Sequence, residues 1–305
     1  GADLWNDSSD LRELGHAVQE GATGATSNPV IVATAVKADA ATWVPVLDTL
    51  VSDFPHDTED DLAWKLIEAI GRRAAALLQP VWEATRGRKG YLSMQVSPKL
   101  YRDPARMVEH GRRLASLAPN VAIKVPATIA GIEAGEALVS GGINVNATVS
   151  FTVRQALYVA QAFERALDRA RAAGRDMERL HPYVTLMVGR LDDHLQRVMA
   201  KESVTVEPGF LHWAGVAVFK RAHRLFREKG YRSTLLSAAY RHHLHWSQLA
   251  GPGVILTMPY AWWNQFPASS VEVKARLEEP VAPAVLDALL ALFPDFRRAY
   301  EPDGL

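Results

Sequence analysis

Val121-Ala-Ile-Lys-Val-Pro126 places an amine inside a run that otherwise reads as an interior β-strand. Three apolar residues precede Lys124, a β-branched residue follows it, and a proline closes the run, so the strand opens into a loop just past the lysine. Burial disfavours an ammonium and pulls its pKa down from about 10.4. A neutral amine so produced is a nucleophile able to form a Schiff base with a carbonyl substrate. Taken alone, the same lysine also fits a solvated strand edge, and its neighbours along the chain decide between the two.

Short apolar runs recur on both sides of it, at 2–6, 24–27, 91–96, 143–148, 183–188, 234–239 and 254–258. With 121–125 they make eight candidate strands. Helical periodicity fills the intervals, most clearly at 61–78, 104–117, 150–173, 211–229 and 283–292. Strands alternating with helices over some 250 residues imply parallel strands joined by crossovers, and eight such units close into a (β/α)8 TIM barrel with extra helices. One extra helix is expected within 35–61, which is longer than a single loop needs. With no low-complexity linker and no fixed-period repeat, 1–305 reads as one barrel domain with a C-terminal helical extension from about residue 259.

The chain has 305 residues, 48% of them apolar, with 34 basic residues balanced by 34 acidic ones. It can bury one large core and has no net field to draw nucleic acid or a membrane surface, which points to a small-molecule protein. The absence of cysteine excludes disulfides, thiolate catalysis and Cys-ligated zinc, and is compatible with a reducing cytosol. No apolar run reaches about 18 residues and no signal-peptide core precedes Asp3, so a cytoplasmic location is expected.

In such a barrel the reactive groups sit at the carboxyl ends of the strands. Nearly every expected strand ends in a polar residue: Asp7, Asn28, Gln95, Lys124, Asn146 with Thr148, Thr185, and Arg241 just past the seventh. Helix capping is an equal alternative for Asp7, Ser27 and Ser150 taken singly. Seven convergent positions are harder to assign to capping alone.

These residues carry a resemblance to the transaldolase family. Gly24-Ala-Thr-Ser-Asn-Pro-Val-Ile31 resembles its strand-two signature, Ala122-Ile-Lys-Val-Pro-Ala-Thr128 its Schiff-base strand, and Gly142-Ile-Asn-Val-Asn-Ala-Thr148 its strand five. Met187-Val-Gly-Arg-Leu-Asp-Asp193 and Leu236-Ser-Ala-Ala-Tyr-Arg241 continue the match in order, and the segments 237–246 and 259–263 suggest a divergent bacterial branch. The resemblance implies that Lys124 attacks the ketone of a phosphorylated ketose and that Asp7 exchanges a proton with the substrate hydroxyl. It implies that Asn28, Asn146 and Thr185 orient the dihydroxyacetone end, and that Arg190 and Arg241 hold the phosphate. For each arginine the alternative is an ion pair with Asp192 or Asp193. No cofactor or metal is required by this chemistry, the partners are sugar phosphates, and homo-oligomerisation is left open.

Three positions depart from the family pattern. Ala239 stands where a serine often serves the phosphate. Gln95 replaces the glutamate that works with the strand-five threonine, here Thr148, through a catalytic water, and an amide cannot take up a proton. The related fructose 6-phosphate aldolases also use glutamine but add a tyrosine on strand six, where this chain has Met187. A water held by Gln95 and Thr148, or one of His242, His243 and His245, is the candidate substitute. His242 and His245 share a helix face at metal-ligand spacing, but no third ligand is evident nearby. The expected function is transfer of a dihydroxyacetone unit between sugar phosphates. Its rivals are an aldolase releasing free dihydroxyacetone and a barrel that binds sugar phosphates without cleaving them.

Overall fold

The computed structural model describes residues 1–304. Eight parallel strands, β1 (Asp3–Asn6), β2 (Gly24–Thr26), β3 (Tyr91–Gln95), β4 (Val121–Pro126), β5 (Val145–Ser150), β6 (Tyr183–Met187), β7 (Thr234–Ala238) and β8 (Val254–Met258), pair in chain order and close where β1 meets β8. The (β/α)8 barrel expected from the alternation is the fold found. Helices α1 (Leu11–Gln19), α2 (Pro29–Ala38), α3 (Ala40–Asp53) and α4 (Glu59–Ala84) occupy the first third of the chain, α3 being the extra helix. The barrel wall continues through α5 (Pro104–Ala115), α6 (Ile129–Ser140), α7 (Val153–Ala172), α8 (Val188–Glu202), α9 (Ala214–Lys229) and the short α10 (Leu244–Ser247). Three more helices follow the last strand: α11 (Tyr260–Gln265), α12 (Pro283–Leu292) and α13 (Pro294–Tyr300).

Strand alternation sorts the side chains into two cores. Trp5, Tyr91, Ala122, Tyr183, Leu236 and Ile255 fill the floor of the barrel lumen, with the Trp5 and Tyr183 rings edge to face at 5.0 Å. Their sequence neighbours on the same strands face the helices in the larger outer core. Gly24 is needed at the floor, since a Cβ there would enter the Trp5 ring. With aromatic bulk below, the polar residues two positions further along these strands, Asp7, Ser93, Lys124, Thr185 and Thr257, line the upper lumen, β7 alone offering an alanine, Ala238.

Helix starts correct one expectation. The caps are Asp10 for α1, Asn28 for α2 and Thr152 for α7, each accepting backbone N–H groups of the first turn, so Asp7, Ser27 and Ser150 do not cap. The expected helix 150–173 begins only at Val153, because β5 runs on to Ser150 through a bulge between Ala147 and Ser150. That bulge holds Val149 at φ +61°, a conformation β-branched residues rarely adopt. Among the described residues no single helix is long and apolar enough to cross a membrane, although α2 and α3, bent by 112°, together meet that length and composition.

Candidate functional site

Lys124 is buried in the upper lumen of β4, in register with Gln95 on β3 and Asn146 on β5. Its Nζ donates to the Ser27 carbonyl at 3.3 Å. Desolvation lowers its pKa, with the Asp7 charge acting in the opposite sense. Asp7, one residue past β1, is in turn raised by desolvation, against the field of Lys124 and a hydrogen bond from Thr26 Oγ1. Thr26 also meets Thr257 Oγ1 at 2.7 Å, tying the carboxylate's support to β2 and β8.

A second chain of hydrogen bonds crosses the other half of the mouth. Thr185 Oγ1 donates to Asn146 Oδ1 at 2.7 Å, and Asn146 Nδ2 donates to Ser93 Oγ at 3.0 Å. The amide is thereby fixed in orientation beside the lysine. Thr148 lies one step higher on β5, paired with Pro126, and Gln95 is half-buried at the end of β3. Asn28 sits at the rim with its Oδ1 engaged by Val30 N and Ile31 N, leaving its amide nitrogen as the group free to donate. Thr26, Ser93 and Thr257 were not among the expected residues. Ser93 was within reach of the alternation rule, since it stands two before Gln95 on the same strand.

Arg190 and Arg241 converge on Asp193. The Arg241 guanidinium takes both carboxylate oxygens, at 2.6 to 3.1 Å, and Arg190 approaches one at 3.5 Å. The hydrogen bond from Arg241 holds Asp193 below the usual carboxylate range. The ion-pair alternative is thus realised for both arginines by Asp193, while Asp192 has a separate role. Gly189 makes their proximity possible: a Cβ there would collide with the Ala239 carbonyl oxygen. Ala239 itself adopts φ +66°, turning the chain so that Arg241 faces α8.

Asp192, 1% exposed, accepts from His242 Nε2 and His245 Nε2, both at 2.9 Å, and from Gly215 N. Burial works to raise this carboxyl, but the two histidines outweigh it and leave it below the usual range. The third group missing from the histidine run is therefore Asp192, 50 residues upstream of His242, and no local spacing could have revealed it. The three ligand atoms are close enough to surround a metal ion. However, Arg241 N–H donates to His245 Nδ1 at 3.1 Å, which places the neutral ring's proton on Nε2, facing Asp192. A metal would need that Nε2 lone pair, so the geometry is that of a hydrogen-bonded brace rather than a metal centre. His242 is covered by the stacked His212 ring at 4.4 Å, and burial lowers its pKa. The brace fixes the backbone at Arg241.

Comparison with known proteins supports a family assignment. The family model described as transaldolase/fructose-6-phosphate aldolase matches residues 4–293. The chain is 30% identical over 294 residues to Transaldolase 1 of Streptomyces avermitilis, covering 87% of this chain and 76% of that protein. It is 33% identical over 249 residues to a transaldolase of Thiobacillus denitrificans, covering 78% and 68%, and 36% identical over 197 residues to that of Thermobifida fusca, covering 64% and 52%. With the match running from β1 beyond α12, the chain belongs to the transaldolase/fructose-6-phosphate aldolase family.

Proposed function

We propose that the protein transfers a dihydroxyacetone unit from a ketose phosphate to an aldose phosphate through a Schiff base on Lys124. The observation that carries this reading is a buried amine at a barrel strand end, its pKa lowered by burial, with a carboxyl whose pKa burial raises, Asp7, sharing the same mouth. The Lys124 amine adds to the ketone carbon, and loss of water gives an iminium. Asp7 takes the proton from the C4 hydroxyl as the C3–C4 bond breaks, and that electron pair moves into the iminium to leave an enamine. The departing aldehyde is replaced by an acceptor aldehyde, whose carbonyl carbon the enamine attacks. Asp7 returns its proton to the new hydroxyl, and water hydrolyses the iminium to free the lysine. Asn146 and the amide nitrogen of Asn28 suit the substrate hydroxyls, and Arg190 with Arg241 suit the phosphate. Gln95 and Thr148 flank the Lys124 strand and suit a water for the dehydration step.

Incubation with fructose 6-phosphate and borohydride, followed by peptide mass analysis, tests this directly. A reduced adduct on the Lys124 peptide, absent in Lys124→Met, is the expected outcome. An adduct on Lys99 or Lys220 that survives Lys124→Met would move the chemistry elsewhere. A second reading, an aldolase releasing free dihydroxyacetone, is favoured by Gln95 and opposed by Met187. Turnover of a ketose phosphate without any acceptor aldehyde would select it.

A further inference from the structure

A cavity of about 550 Å³ opens beside Met187, the last residue of β6 and two positions past Thr185. Its walls are Val149, Phe151, Met187, Leu191 and Ala299, contributed by the bulge of β5, the start of α8 and α13. Polyhydroxylated sugars need a partner for each hydroxyl, and these walls offer almost none. An apolar body suits them instead. Val149 adds a second observation, because it is 44% exposed with its backbone in the left-handed region. Surface exposure and backbone cost together are unusual for a β-branched residue and recur where a ligand is handled.

The rim has a definite charge. Arg190, Arg197 and Arg298 all line the cavity, against one acid among the described residues, Asp295, whose Oδ2 is already engaged by His194 at 2.8 Å. Arg298 reaches Asp295 only at 3.4 Å and Arg190 reaches Asp193 only at 3.5 Å, so both guanidiniums keep donors for an anion.

We propose that this cavity is an acceptor subsite for an aldehyde with an apolar, aryl-sized body and an oxyanion at its far end. The proposal rests on the Schiff-base transfer reading for its chemistry. The enamine on Lys124 would form a carbon–carbon bond to the aldehyde carbon, the alkoxide would take its proton from Asp7, and water would release the product. Met187 is the residue common to the lumen face and the cavity, since strand alternation puts it on the same face of β6 as Thr185 and it also lines the cavity. A tyrosine there would place a hydroxyl at the junction. Methionine leaves it apolar and adaptable.

Transfer from fructose 6-phosphate would be measured to benzaldehyde, 4-carboxybenzaldehyde and 4-formylphenyl phosphate, with glyceraldehyde 3-phosphate as reference. The expected result is a kcat/KM at least roughly 10-fold higher for an anionic aryl aldehyde than for benzaldehyde, a difference typical of one charge-assisted contact. The better of the two anionic arms distinguishes carboxylate from phosphate. Arg197→Ala/Arg298→Ala leaves only Arg190 at the rim and should cut that preference several-fold while leaving benzaldehyde turnover and borohydride trapping unchanged. Binding of the unreactive 4-(hydroxymethyl)benzoate, followed by calorimetry, needs no turnover and should be weakened by the double variant and by Val149→Asp. No preference for the anionic aldehydes, or binding of the alcohol undiminished in both variants, would overturn the subsite. Binding weakened as expected in a protein that shows no Lys124 adduct would uphold the cavity and refute the transfer reading instead.

Discussion

Lys124 and Asp7 are each pushed by burial toward the neutral form, and each opposes that push in the other through its charge. The coupling has a testable sign. Removing the Asp7 charge takes away the field that favours the Lys124 ammonium, so Asp7→Asn should shift the pH profile of borohydride trapping to lower pH, away from the ordinary value of about 10.5. Cleavage should fall by about 100- to 10,000-fold in the same variant, as expected for loss of a positioned base. An unshifted trapping profile would separate the two residues electrostatically and remove Asp7 from the site. Gln95 supplies the complementary case. Gln95→Glu would introduce a titratable group beside Lys124 in register, and partial burial should raise its pKa, so the rate profile should acquire a further limb. If turnover instead falls with the fold intact, Gln95 is donating to substrate through an amide that a carboxylate cannot replace.

The elements that deliver the arginines are as specific as the arginines. The start of α8 passes so close to the turn after β7 that Gly189 has no room for a side chain, and His245, Asp192 and Gly215 then brace the backbone of Arg241. Gly189→Ala should displace the Ala239–Arg241 turn at a stability cost of about 1–3 kcal/mol, typical of overpacking. It should raise KM for ketose phosphates while trapping of unphosphorylated dihydroxyacetone stays unchanged. Arg241→Ala should raise the same KM by roughly 10 to 100 fold, the loss of one charge-assisted contact. Equal loss on phosphorylated and unphosphorylated substrates would make both positions supports of the fold. Of this assembly, the arginines were legible because they lie in short ordered motifs at strand ends. The brace was not, because Asp192 and His245 meet across two crossovers and a histidine run alone does not say which nitrogen faces which partner. The caps show the same limit. Asp10 and Asn28 compete with Ser8, Ser9 and Ser27 of similar capping ability, and only the backbone path decides among them.

For the whole molecule, the barrel was legible because eight strand runs alternate with helical stretches, and the helix 283–292 beyond β8 was legible by its own period, whereas the path of the chain between α11 and α12 was not. The stretch 269–282 has no period, and it is held to the wall by its own backbone carbonyls, which any sequence supplies. Lys220, buried on α9, donates to the carbonyls of Arg276 and Glu279 at 2.8 Å each and so anchors that return. Burial lowers its pKa from 10.5 to about 8. Below about 8 the lysine is protonated in both folded and unfolded chains, and the desolvation penalty is fully present. From there up to 10.5 the unfolded chain binds a proton that the native chain lacks, so this group makes native stability rise with pH. Lys220→Met removes the titration. Wild type should therefore gain stability relative to Lys220→Met as the pH is raised from 7 to 10, seen as a changing difference between the two Tm values by calorimetry. A Tm difference that stays constant across that range would mean that the acceptors around Nζ, the two carbonyls and Gln248 Oε1 at 3.4 Å, keep the ammonium charged throughout, and that the anchor of the return segment is insensitive to pH.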